Sequence, residues 1–159
     1  MLLKNAIIIN SNFEMSEEDV LLQKDKIVGI GTGLTDTEEL DLSGYILAPG
    51  YLDLHIHGYH GINLLEAGAE ELKRFSLMLA HEGVTSFVAT TATMEEEQLL
   101  AALQRLRFAA ENGLPGAQMV GIYLEGPFLS HEKKGAMKET ALCPPDVALL
   151  QRLNEASGR

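Results

Sequence analysis

The chain has 159 residues, 46% of them hydrophobic and none of them Trp, which is enough for one domain or a small domain plus part of another. Its 12 Lys and Arg against 23 Asp and Glu leave a formal charge of −11. That excludes nucleic acid and anionic membrane as partners, because both need a basic footprint. One cysteine, Cys143, excludes an intramolecular disulfide and any multi-cysteine zinc site, and its place before Pro144-Pro145 marks it as a small packing residue. Lys4 and Asn5 interrupt the apolar N-terminus too early for a signal peptide, and no apolar run approaches the roughly 20 residues that span a bilayer. A reducing, cytoplasmic setting is expected.

Residues 1–48 carry short β-prone runs at Leu2–Ile9, Val20–Gln23, Lys26–Ile30 and Tyr45–Ala48. Lys24-Asp25-Lys26 reads as a tight turn between two of them, and Gly29, Gly31 and Gly33 punctuate the exit. This zone is expected to be a small antiparallel β unit.

From Pro49 the pattern becomes strand, helix, strand, helix. The first strand is expected at about Tyr51–His57, bounded by Pro49-Gly50 and Gly58. Leu72, Phe75 and Leu79 form one apolar stripe of a helix over Ala69–Glu82, stopped by Gly83. Val84–Thr90 is a β-branched run and gives the second strand. Thr93 with Glu96 reads as a capping box opening a helix lined by Leu99, Leu103, Leu106 and Ala110, ending at Asn112-Gly113. Gln118–Leu124 is the third strand and Asp146–Glu155 a third helix. Strands alternating with helices imply a parallel sheet. An eight-unit barrel takes ~250 residues, so residues 49–159 hold only its first βα units, and the stop at Ser157-Gly158-Arg159 reads as a truncation.

Two clusters carry chemistry. On a strand, residues i and i+2 share a face, so His55 and His57 converge while Leu54 and Ile56 are expected to pack on the other side. Neutral imidazole is the commonest protein ligand for zinc and iron, and two from one strand form a rigid half-site. A single histidine would read as a satisfied core or rim residue; the pair favours metal. Glu125 follows the third strand, at the end where βα loops build active sites, and Gly126-Pro127 then turns the chain away. Two histidines plus a carboxylate are a recurrent ligand set. Asp53 shares the histidine face, either as a partner of the ligands or as an acid bonded to backbone.

The segment Pro49-Gly-Tyr-Leu-Asp-Leu-His-Ile-His-Gly58 resembles the first-strand signature of the amidohydrolase superfamily. The segments Gly121-Ile-Tyr-Leu-Glu-Gly-Pro-Phe-Leu-Ser-His-Glu-Lys-Lys-Gly-Ala136 and Gly83-Val-Thr-Ser-Phe-Val-Ala-Thr-Thr91 are narrower and resemble the N-acetylglucosamine-6-phosphate deacetylases. The resemblance implies an α/β chain that is the N-terminal part of a metal-dependent TIM-like barrel, incomplete here, preceded by strands of a small β-sandwich. It implies hydrolysis of the acetamide of N-acetylglucosamine 6-phosphate, with one or two divalent ions (Zn or Fe) held by Glu125, His55 and His57. Ala136 and Met137 fall where such enzymes contact the sugar; Met137 departs from the polar residue often found there, which leaves a backbone contact at Ala136. Lys133 and Lys134 are either phosphate-facing or simply a solvated loop. His60 and His131 match no role, and His81 reads as a surface or helix-end residue. The general acid and further ligands are expected on later strands absent from these residues, so little activity is expected from the chain alone. The resemblance also implies a phosphorylated amino sugar as partner and a homo-oligomer at full length. Another amidohydrolase acting on a cyclic amide, and a non-catalytic truncated product needing a partner, are the alternatives.

Overall fold

A computed structural model describes residues 1–10 and 12–158; Arg159 of the terminal Ser157-Gly158-Arg159 lies outside them. The chain divides into two compact units, Met1–Pro49 and Gly50–Arg159.

The first unit is one five-stranded sheet. Strands β1 (Leu2–Ile9), β2 (Met15–Gln23) and β3 (Lys26–Gly31) run antiparallel in sequence, and the tight Lys24-Asp25 turn, where Lys24 has φ 54°, joins β2 to β3. The short β4 (Glu39–Asp41) and β5 (Ile46–Leu47) pair with β1 in parallel. The sheet is therefore mixed, not purely antiparallel. β2 also starts five residues before Val20, because its acidic first half still completes the ladder to β1 while its side chains stay at the surface. Ala6, Ile8 and Val20 are the buried centre, flanked by Leu3, Leu22, Leu42 and Leu47.

The second unit is built on a three-stranded parallel sheet of β6 (Tyr51–Ile56), β9 (Val84–Thr90) and β10 (Gln118–Tyr123), with β9 in the middle. A small hairpin of β7 (Gly58–Tyr59) and β8 (Ile62–Asn63) follows β6. Its two-residue turn, His60-Gly61, has positive φ at both positions (48° and 81°), the pattern of a type I′ turn. The described residues form an open sheet and no closed barrel.

Helix α1 (Ala69–His81) links β6 to β9 and buries Leu72, Phe75 and Leu79. Phe75 meets Phe87 of β9 edge-on, with ring centroids 5.2 Å apart, a contact worth about 0.5–1.5 kcal/mol beyond area burial. Helix α2 (Glu96–Asn112) links β9 to β10 and buries Leu99, Ala102, Leu103, Leu106 and Ala109. Its apolar stripe closes on Ala109; Ala110 is exposed. Helix α3 (Val147–Ser157) packs Leu149 and Leu153 against Leu99 and Leu103, with Cys143 at the margin of that cluster. Asp146 caps α3, accepting from Ala148 N (2.8 Å) and Leu149 N (3.2 Å).

Two further local expectations fail. Thr93 does not cap α2, which begins at Glu96 after Glu95; the buried Thr93 donates instead to the carbonyl of Lys138 (3.4 Å). Leu54 is 65% exposed; it lies on an edge strand, where the ladder to β9 shifts register between Asp53 and Ile56.

Candidate metal centre

Parallel strands place their C-terminal ends on one side of a sheet, and both chemical clusters lie there. His55 and His57 come from the end of β6, and Glu125 lies two residues past β10. Although β9 separates the two strands, the three side chains meet. His55 Nε2 is 3.0 Å and His57 Nε2 3.1 Å from Glu125 Oε2, and the two nitrogens are 3.1 Å apart. The set is thus a nearly equilateral triangle of one carboxylate oxygen and two imidazole nitrogens.

The triangle is a group of side chains that could hold a metal ion. Glu125 Oε2 is buried yet has no aligned hydrogen-bond donor, even though both nitrogens lie within ion-pair distance. The two imidazole nitrogens instead meet each other in hydrogen-bond geometry at 3.1 Å, the donor and acceptor set by the ring tautomers. Bonds of about 2.0–2.1 Å place neighbouring ligand atoms roughly 3.3 Å apart around a tetrahedral ion and roughly 2.9 Å apart around an octahedral one. The observed separations of 3.0–3.1 Å lie between these. One carboxylate and two neutral imidazoles carry a single negative charge, which a divalent cation would more than offset.

The backbone beneath the triangle is fixed. Asp53 Oδ1 accepts the N–H of His55 at 3.0 Å, so this acid bonds to backbone. The ring of Tyr123, at the end of β10, lies 5.3 Å from that of His55 in a tilted contact. Thr90 and Thr91, both fully buried, hold Ile56 and Glu125 through their hydroxyls. A reading of β-branched residues as strand formers passes over these two. Their signal is position, two consecutive hydroxyls at the mouth of the central strand.

A cavity of about 660 Å³ opens beside His57 and is lined by Tyr59, His60, Asn63, Ala92, Ala136 and Met137 among others. Ala136 and Met137, far from His57 in sequence, thus share one opening with it. The Met137 thioether is turned inward, its Sδ accepting from Thr93 N at 3.4 Å. Lys134 Nζ donates to the Met137 carbonyl at 3.2 Å, whereas Lys133 is exposed. His60 serves the hairpin turn and packs edge-on against Tyr59 (4.4 Å). His131 pairs with Glu139 at 3.4 Å on the surface, and His81 is exposed in the last turn of α1. The sequence signal for the hairpin was Tyr59-His60-Gly61-Ile62, in which apolar residues flank a glycine turn.

No family model matches the sequence. It is 40% identical over 116 residues to N-acetylglucosamine-6-phosphate deacetylase from Bacillus subtilis (strain 168), covering 71% of this chain and 29% of that protein. It is 35% identical over 108 residues to N-acetylgalactosamine-6-phosphate deacetylase from Escherichia coli O157:H7, covering 68% of this chain and 29% of the relative. The crystal structure of N-acetyl-D-glucosamine-6-phosphate deacetylase from Mycobacterium smegmatis superposes with a TM-score of 0.81 at 29% identity, covering 99% of this chain and 44% of that one. The fold is that of amidohydrolase enzymes. The chain spans less than half the length of these relatives. Within that span it belongs, in sequence and in fold, with the N-acetylglucosamine-6-phosphate deacetylases. No helix among the described residues is long and apolar enough to cross a membrane.

Proposed function

We propose that these residues carry part of the active site of a metal-dependent deacetylase, which hydrolyses N-acetylglucosamine 6-phosphate to glucosamine 6-phosphate and acetate. The observation that carries this reading is the triangle of His55, His57 and Glu125, with its buried, unpartnered carboxylate oxygen, in a chain whose named relatives are amino-sugar phosphate deacetylases. His55 and His57 would give Nε2 and Glu125 Oε2 to one divalent ion, zinc or iron. Such an ion, when bound, lowers the pKa of a coordinated water to about 7 and polarises the amide carbonyl.

The remaining roles fall to the chain itself. Asp53, Thr90 and Thr91 hold the backbone of the ligand-bearing segments, so the three donor atoms stay clustered before any ion arrives. Ala136 and Met137 would meet the sugar in the cavity beside His57, through the exposed backbone of Ala136 more than through the Met137 thioether, which Thr93 already engages. The leaving amine needs a proton, so the reaction needs a general acid. That acid is assigned to the part of the deacetylase length that this chain does not span. The place of reaction is the cytoplasm, and the full-length enzyme is a barrel preceded by a β-sandwich, acting as a homo-oligomer.

Zinc titration by calorimetry tests the site. The 159-residue chain should bind an ion, and Glu125→Ala should weaken that binding at least tenfold; an unchanged isotherm in the variant would sink the reading. A product assay with N-acetylglucosamine 6-phosphate and its galactosamine isomer should show little turnover by this chain alone. Substantial metal-dependent turnover would show that these residues already contain the acid.

A further inference from the structure

The geometry points to Thr90 and Thr91 as positioning residues that set the ligand triangle, one acting on the histidine pair and the other on Glu125. This rests on the metal-site reading above. The ladder between β6 and β9 shifts register just where the first histidine sits: Asp53 pairs with Phe87 but Ile56 with Ala89, so three steps on β6 meet two on β9. The extra residue makes a bulge, which re-aims side chains and leaves backbone groups without ladder partners. Two side chains take over those groups. Asp53 accepts the N–H of His55, and Thr90 Oγ1 accepts the N–H of Ile56, the residue between the two histidines, at 3.0 Å. Thr90 is itself anchored by donating to the carbonyl of Val88 at 3.3 Å.

On the other side of β9 the ladder to β10 ends at the pair Tyr123–Thr90. Thr91 carries it further. Its N–H donates to the Tyr123 carbonyl (2.9 Å), and its Oγ1 accepts the N–H of Glu125 (3.1 Å). The last residue of the central strand and the one that follows it therefore clamp both neighbours at the point where each presents its ligands. Both threonines are fully buried, so their hydroxyls face protein rather than solvent. A purely structural role as β-branched strand formers would be served equally well by valine, which keeps the shape and loses the acceptor.

The test compares Thr90→Val and Thr91→Val with Thr90→Ser and Thr91→Ser in the 159-residue chain. The readouts are zinc affinity by chelator competition and the visible spectrum of bound cobalt. Each valine variant should bind zinc about tenfold more weakly, as expected when a group that orients a ligand is lost. Each serine variant should bind within about twofold of wild type and keep the wild-type cobalt spectrum. In a Glu125→Ala background, Thr91→Val should cause no further loss, because Thr91 acts through Glu125. Wild-type affinity in the valine variants, or an equal loss with and without Glu125, overturns the inference while leaving the metal site intact. Absence of zinc binding by the unaltered chain overturns the metal-site reading and this inference with it. Should a valine variant fail to fold, amide exchange in the unaltered chain decides. The Ile56 and Glu125 amides should exchange as slowly as ladder amides of β9, and fast exchange at both overturns the clamp.

Discussion

Asp53 spends its carboxylate on a neighbour two residues along its own strand: Oδ1 accepts the backbone N–H of His55 at 3.0 Å. The bond fills the gap in the β6 ladder directly under the first imidazole. Asp53→Ala would leave that N–H without its partner, at a cost of about 1–3 kcal/mol if no water replaces it. Asp53→Asn keeps an oxygen acceptor and should recover most of the loss. Urea denaturation checks the order wild type, Asn, Ala. An alanine variant as stable as wild type would mean that the bond contributes nothing net.

Ligation by the proposed triangle ties metal to stability. An ion that binds only the folded chain stabilises it by about 2.7 kcal/mol when its free concentration is a hundred times Kd. Zinc should therefore raise the Tm of wild type, a chelator should reverse the rise, and Glu125→Ala should abolish most of it. A melting curve indifferent to saturating zinc would count against ligation.

Gly58 follows His57 and pairs with Asn63 across the hairpin. A Cβ at position 58 would overlap the Ile62 carbonyl and crowd Asn63 Cα at 3.2 Å. Both are backbone atoms, so the hairpin must open to admit it. Gly58→Ala should destabilise the second unit by about 1–3 kcal/mol. It should also shift the amide resonances of His57, Tyr59 and Asn63, which line the cavity. An unperturbed spectrum would show that the hairpin yields freely.

In the first unit, Asp41 supplies a pH signature away from the site. The Ser43 hydroxyl (2.6 Å), the Asn5 amide (3.0 Å) and the Ser43 N–H (3.0 Å) hold its carboxyl below the ordinary value. A depressed carboxylate contributes stability that is fully present above its unfolded pKa, near pH 4, and is lost as pH falls through the lower folded value. The first unit should therefore lose this contribution below about pH 4, and Asp41→Asn should remove that step from the acid limb. Carbon-detected titration of the Asp41 side chain checks the direction; a midpoint above the ordinary value would contradict it.

Periodicity made the β6–α1–β9–α2–β10 order legible, since Leu72, Phe75 and Leu79 or Val84–Thr90 announce their elements within a few residues. The meeting of His55, His57 and Glu125 was also readable, because i, i+2 parity and the strand-end rule are local. Contacts made across long sequence separations escaped it. Thr93 and Glu96 spell a capping box, but Thr93 is engaged by Met137 and Lys138 from a distant loop, so the helix starts later. Alternation assigned Leu54 to a packed face, yet packing depends on what covers an edge strand. The hydroxyls of Thr90 and Thr91 look like ordinary strand residues until their partners on neighbouring strands are known.

The triangle joins segments separated by roughly 70 residues, and β9, the strand lying between them in the sheet, also lies between them in sequence. Bringing the ends of such a segment together costs entropy that local structure does not repay, so the donors have little reason to meet in an unfolded chain. They meet once β9 is seated between its two neighbours. Under the proposed ligation, capture of a coloured ion such as cobalt during refolding would therefore serve as a clock, its signal starting when the middle strand locks into place.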